Sequence, residues 1–178
     1  MNTRLIRFLI FATVVMLFSS CEADRKKPKT LSEVRSYEKP LEKVNKYLAN
    51  KDEKSIANHC KRRGWNMNMT DSGLWYGKLK STEQDSIKKG QIVELKYKVE
   101  LMDGTILYDS DSVGTKIFEV GHGGVESGLE EGILMMRTGE KYRFIMPPHR
   151  AHGLLGDLKK IPARTTIVYY VEIINSSS

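Results

Sequence analysis

The most regular pattern in the chain is an alternation. Val93, Leu95, Tyr97, Val99 and Leu101 are separated by Glu94, Lys96, Lys98 and Glu100. A period of two with one polar face predicts a strand buried on one side, as in an antiparallel sheet. Asp103-Gly104 makes a turn, and Ile106 to Tyr108 returns. Lys141 to Met146 puts Tyr142, Phe144 and Met146 on one face and stops at Pro147-Pro148, neither of which can donate to a ladder. Thr165 to Ile174 repeats the pattern with Ile167, Tyr169, Val171 and Ile173. Asn66 to Thr70 and Leu74 to Leu79 read as a hairpin around Asp71-Ser72-Gly73, and Lys116 to Val120 as a short strand. Lys80 to Gly90, Asp109 to Thr115 and His149 to Lys160 read as loops, and Asn175 to Ser178 as a tail.

The period changes between Gly121 and Glu140. Leu129, Ile133 and Met136 recur at helical spacing. Ser127 and Glu130 have the spacing of a capping box, Glu130 and Glu131 occupy the first turn, and Arg137 with Gly139 marks the end. A helix this short is marginal alone, so the sheet must cover its apolar stripe. Near the start of the chain, Pro40 opens a helix with Leu41, Val44 and Leu48 on one face. Asn50-Lys51-Asp52 breaks it. Asp52 or Ser55 then caps a second helix that carries Ile56 and Cys60 and ends at Gly64. These helices have three open roles: packing on the main domain, a dimer contact, or a spacer. The expected fold class is α+β: an antiparallel sheet wrapped around one short helix, preceded by a helical leader.

Composition changes the picture at the N-terminus. The chain has 178 residues, 40% hydrophobic and 29% charged, which suits one domain with extras. Arg4 and Arg7 precede an unbroken apolar run from Phe8 to Phe18. A run of about 11 residues is too short to span a bilayer and fits a signal peptide. Phe18-Ser19-Ser20-Cys21 resembles a bacterial lipobox, with Phe18 where leucine is usual. That resemblance implies cleavage before Cys21 and acyl chains on that residue, which anchor the chain in a membrane. The expected organisation is a lipoprotein signal over 1–20, a tether and helices over 21–64, and the main domain over 65–175. The expected location is the cell envelope, lipid-anchored on the periplasmic or outer-membrane side. Cys60 is then alone, so no internal disulfide is expected. The net charge of +7 includes signal-peptide arginines, and the basic cluster Arg25-Lys26-Lys27 suits lipid headgroups. Nucleic acid is not expected as a partner of an exported chain.

Several separated motifs then resemble, in order, the FKBP-type peptidyl-prolyl isomerases. Asp71-Ser72-Gly73-Leu74-Trp75-Tyr76, Lys89-Gly90, and Val93 to Asp109 with Tyr97, Asp103-Gly104 and Tyr108-Asp109 resemble the first half. Val125-x-x-Gly128-x-x-Glu131-Gly132-x-x-x-Met136-x-x-Gly139-Glu140 resembles the helix. Pro147-Pro148-x-x-Ala151-x-Gly153, Ile161-Pro162 and Thr166 to Val171 resemble the last loop and strand. The similarity covers about Trp65 to Ile174. With the lipobox and leader, the whole is most similar to the gliding-motility-associated lipoproteins of that family.

The resemblance implies an apolar proline pocket lined by Tyr97, Tyr108, Asp109, Phe118, Val125 and Tyr169. One extra residue near Ile106-Leu107 bears on how Tyr108 faces. Leu129 stands where the family has a tryptophan floor, His152 where it has a tyrosine hydroxyl, Glu126 where it has a branched apolar residue, and Lys116 where it has an aromatic one. Asp109, Tyr97 and His152 are the implied catalytic residues. Tyr108, Phe118, Val125, Glu126, Leu129 and Tyr169 are the implied substrate-binding residues. The implied activity is isomerisation of X–Pro bonds in exported or envelope polypeptides, the gliding or secretion machinery among them. It needs no cofactor. The alternatives are a low-turnover module that binds proline-containing segments, or a structural partner acting through its helices. His149-x-x-His152 with His122 lacks cysteine partners and fixed spacing, so no metal site is expected.

Overall fold

The computed structural model describes residues 31–177, with side chains placed from Glu38 onward. The expected signal peptide and lipidated Cys21 lie outside the described residues. The chain divides into two units, Met1–Lys43 and Val44–Ser178, and the sheet lies wholly in the second. In chain order the elements are helix α1 (Leu31–Arg63), strands β1 (Asn68–Met69), β2 (Trp75–Lys80), β3 (Ile92–Leu101) and β4 (Ile106–Asp109), helix α2 (Ser110–Val113), strand β5 (Lys116–Glu119), helix α3 (Ser127–Ile133), strand β6 (Lys141–Met146), a 3₁₀ turn (Pro148–Arg150) and strand β7 (Ile167–Ser177).

All strand pairs are antiparallel, in the order β1-β2-β6-β7-β3-β4, with β5 also paired to β3. The main core joins α3 to one face of this sheet. Leu129 and Ile133 are fully buried there beside Leu95, Phe144, Tyr169 and Val171. The helix approaches closely because two of its residues have no side chain. A Cβ at Gly132 would stand 2.7 Å from Phe144 Cζ, and one at Gly128 would stand 2.9 Å from the Arg150 carbonyl oxygen and 3.1 Å from Met146. Phe144 and Met146 are two apart on β6 and share a face, as Gly128 and Gly132 do on α3.

The first expectation to be corrected concerns α1. It is one helix of 33 residues with Pro40 inside it, not two broken at Asn50-Lys51-Asp52. Those three residues carry only small propensity penalties, and tertiary contacts outweigh them. Asp52 does not cap a helix; it pairs with Arg164, Oδ2 to Nη2 at 3.0 Å. Ile56 and Cys60 pack with Ile145 and Val168 on the outer face of the sheet. Arg143 lies over the Trp65 ring at 3.7 Å from its centroid. The sheet is therefore covered on both faces at β6 and β7, where one buried face was expected. Burial also pushes the Cys60 thiol upward from its usual titration range, so it stays protonated and inert. Gly64, at φ +64°, ends the helix as anticipated. Its N–H bonds to the Lys61 carbonyl and that of Trp65 to the Cys60 carbonyl, the paired bonds of a Schellman stop.

Four smaller corrections follow from hydrogen bonding. The capping box on α3 does not form. Glu126 is the N-cap and makes no side-chain cap bond. Ser127 Oγ donates to the Arg150 carbonyl, and Glu130 accepts from the N–H groups of Gly121 and Gly123. The helix also ends at Ile133, short of Arg137 and Gly139; the Gly139 N–H donates to Ile173 O instead, at 2.7 Å. The loop expected after Tyr108 contains α2, capped by Asp109. The tail expected after Ile174 continues β7, with Ser177 opposite Ile92.

Gly132→Ala tests the close approach of α3. Helix propensity alone favours alanine over glycine by about 1 kcal/mol. The contact with Phe144 should reverse that sign and destabilise the domain by roughly 1–3 kcal/mol. Thermal unfolding measures it, and an unchanged or raised Tm would show that Phe144 yields freely.

Candidate active site

A cavity of about 180 Å³ opens beside α3, lined in part by Tyr97, Tyr108 and Tyr169. Tyr97 on β3 and Tyr169 on β7 are diagonal neighbours across paired strands, since Tyr97 faces Val171 and Val99 faces Tyr169. Their ring centroids are 5.8 Å apart at 36°. Tyr108 arrives from β4 because of a bulge. Val99 pairs with Tyr108 but Glu100 with Ile106, so Leu107 is the extra residue that the ladder skips. Val99 and Ile161 supply apolar wall.

The opposite wall is charged, where an apolar hollow was expected. Lys116, Glu126, His152 and Asp157 all line it. Glu126 is the hub. Its side chain is only 8% exposed, with Oε2 3.4 Å from Lys116 Nζ and Oε1 3.1 Å from His152 Nε2. Burial alone would raise this carboxyl. The adjacent His152 ring and the Lys116 charge outweigh it and hold the group at about 2. Lys116 Nζ also donates to the Tyr169 hydroxyl at 3.0 Å. It lies 5.3 Å from the Tyr97 ring centroid and 5.6 Å from that of Tyr169. Burial raises the titration of both hydroxyls, that of Tyr169 well above its usual value.

The loop after β6 completes the site. Arg150 ties it to α3 through the Glu131 carboxylate and the Ser127 carbonyl. That brings His152 over Glu126. Its Nε2 is buried and close to the carboxylate but not aligned for a hydrogen bond. Expected to donate to a substrate carbonyl, this nitrogen instead faces Glu126. Asp157 accepts from the Tyr108 hydroxyl and from the N–H groups of Lys159 and Ile161, 2.9 and 2.7 Å away. Burial works against ionisation there, but these donors hold the carboxyl at about 2. Sequence reasoning passed over Asp157. Its sole local signal was an aspartate after Gly156 in a polar loop, the usual mark of an Asx turn.

Five expected residues thus share the cavity: Tyr97, Tyr108, Glu126, His152 and Tyr169. Phe118 and Val125 are half-buried against the main core and are not among its lining residues. Leu129, expected as the floor, has no exposed surface and is taken up wholly by the core. Asp109 is spent on the α2 cap, where Oδ1 accepts the Asp111 N–H at 2.9 Å. It lines a different hollow of about 310 Å³ with Lys96, Lys98 and Ser110, which Tyr97 also borders. The three histidines considered for a metal have separate partners: His122 meets Glu119, His149 meets the Ser72 carbonyl, and His152 meets Glu126.

The family profile described as FKBP-type peptidyl-prolyl cis-trans isomerase matches residues 83–174. The chain belongs to this family. FK506-binding protein 2 of Yarrowia lipolytica is 37% identical over 89 residues, 49% of this chain and 62% of that protein. The chain thus spans less than two thirds of that relative's length. FK506-binding protein 2 of Debaryomyces hansenii is 35% identical over 109 residues, 58% of this chain and 80% of that one. Among solved structures, AtFKBP13 is similar with a TM-score of 0.60 at 27% identity, covering 63% of this chain and 99% of its own. FkpA from Escherichia coli shares the fold, with a TM-score of 0.59 at 24% identity over 96% of this chain and 82% of its own.

The FKBP-type domain should show the Glu126 ion pairs in its acid stability. The folded value of about 2 lies below the ordinary 4.5. The contribution is therefore complete above about 4.5 and is lost as pH falls toward 2. Native protein should exceed Glu126→Gln in stability by up to about 3 kcal/mol near neutral pH. The margin should shrink through that acid window in denaturant titrations. A margin that stays constant with pH would mean that Glu126 carries no net charge coupling.

Proposed function

We propose that this FKBP-type domain catalyses cis–trans isomerisation of X–Pro bonds in exported polypeptides while acyl chains on Cys21 hold it at the cell envelope. The supporting observation is the tyrosine-lined cavity beside α3, placed within the segment that matches the family. The X–Pro bond resists rotation by about 20 kcal/mol because resonance gives it double-bond character. Its planar form carries negative charge on oxygen and positive charge on nitrogen, and twisting removes that separation. A site that excludes water from the bond while gripping the ring therefore favours the twisted form, and each tenfold gain in rate needs only about 1.4 kcal/mol. Tyr97, Tyr108 and Tyr169 grip the ring, Val99 and Ile161 exclude water, and the charged wall orients the flanking backbone. No nucleophile enters the reaction. Gliding or secretion components are the proposed clients of an envelope-anchored isomerase.

A second reading keeps the binding and drops most of the turnover. The burial of Leu129 favours it, because the cavity then lacks an apolar floor of its own.

Magnetisation-exchange NMR on an X–Pro peptide separates the two readings. The full chain in detergent should speed exchange well above the buffer rate. Peptide shifts without faster exchange would leave a binding module, and neither would remove both. Cys21→Ser should move the protein from the membrane to the soluble fraction of cells; unchanged membrane association would remove the lipid anchor.

A further inference from the structure

Lys116 on β5 occupies an unusual place for an ammonium group. Nζ sits within 5.3 and 5.6 Å of the Tyr97 and Tyr169 ring centroids, and its side chain is 27% exposed. Two contacts fix it there: the Tyr169 hydroxyl at 3.0 Å and Glu126 Oε2 at 3.4 Å. An ammonium has three N–H donors. The third has no partner among the described residues and belongs to a group that lines the cavity.

The chemistry of the amide says what such a donor does. In the planar bond the nitrogen lone pair is shared with the carbonyl, so nitrogen is no acceptor and oxygen carries the charge. In the twisted bond the lone pair returns to nitrogen, which becomes a hydrogen-bond acceptor. A donor at nitrogen therefore meets its acceptor only at the top of the barrier. A donor at oxygen would instead favour the planar bond and slow the reaction. A proline ring seated against Tyr97 and Tyr169 would have its nitrogen beside the ammonium that both rings flank.

We propose that Lys116 is a catalytic residue of this isomerase, donating its third N–H to the prolyl nitrogen of the twisted bond. The step rests on the isomerase reading above. No proton is transferred and no bond to the protein forms; the hydrogen bond dissolves as the amide flattens to either isomer. Glu126 is a positioning residue, holding the ammonium against the tyrosines so that little reorganisation accompanies the twist.

Steady-state isomerisation by the full chain in detergent tests this. Lys116→Met should lower kcat by about tenfold to a hundredfold, the loss of one charge-assisted hydrogen bond, with KM near native. Lys116→Arg, which keeps a cationic donor, should recover most of that loss. An unchanged or raised kcat in a Lys116→Met protein with native near-UV circular dichroism would overturn the proposal. So would a rise in KM alone, which would mean uniform binding. If Lys116→Met fails to fold because Glu126 loses its lysine partner, Lys116→Met with Glu126→Leu removes both charges, and native kcat in that protein overturns the proposal equally. An inactive native chain defeats the isomerase reading itself. An active native chain with an unaffected methionine variant defeats this inference alone.

Discussion

The distance at which α3 lies on β6 sets the geometry of everything around it. Side chains on both faces would hold a helix and a sheet well apart, yet here the helix backbone rests on the Phe144 ring and the Met146 side chain. It does so through Gly128 and Gly132, one turn apart. That depth buries Leu129 and Ile133 completely. It also brings the residue just before the helix, Glu126, down beside Lys116 of β5. Arg150, anchored on the same helix, carries the loop with His152 to the other side of that carboxylate. The cavity is a consequence of this docking rather than a feature of any one strand.

The charged wall obeys a related constraint. A carboxylate as buried as Glu126 is unfavourable unless cations or donors surround it. Lys116 supplies the cation, the His152 ring packs beside the other carboxylate oxygen, and the Tyr169 hydroxyl takes up part of the Lys116 charge in turn. Lys116, Glu126 and His152 therefore form one interacting set rather than three independent positions. Tyr108 and Asp157 form a second, smaller set on the far side, where a phenol donates to an aspartate already held by two backbone N–H groups.

What could be read from the sequence follows from what each signal measures. The alternation through Val93 to Leu101 reports burial directly, and β3 covers Ile92–Leu101. The run from Lys141 to Met146 matched β6 residue for residue. Break and cap signals were less reliable because they compete with tertiary contacts invisible in one dimension. Asn50-Lys51-Asp52 stayed helical because Arg164 pairs with Asp52 within the supposed break and Ile56 and Cys60 pack on the sheet just after it. Ser127 and Glu130 had capping spacing, but Arg150 and the Gly121–Gly123 backbone took those side chains instead. In the site, the aromatic members were legible by resemblance. Asp157 was not, since only the fold brings it to Tyr108, 49 residues away in the chain. The surplus residue near Leu107 was visible as a count, whereas its effect on facing needed the pairing register.

The strand order has a further consequence. The sheet ends in β1 on one side and in β4 and β5 on the other, strands of two, four and four residues, while β3 and β7, with ten and eleven, lie inside. Open edges are where a foreign extended chain can add itself by backbone pairing and seed insoluble assemblies. A chain that isomerises X–Pro bonds in unfolded polypeptides, as proposed above, would face that hazard at every encounter. Short edge strands leave only short stretches of ladder for a foreign chain to pair with.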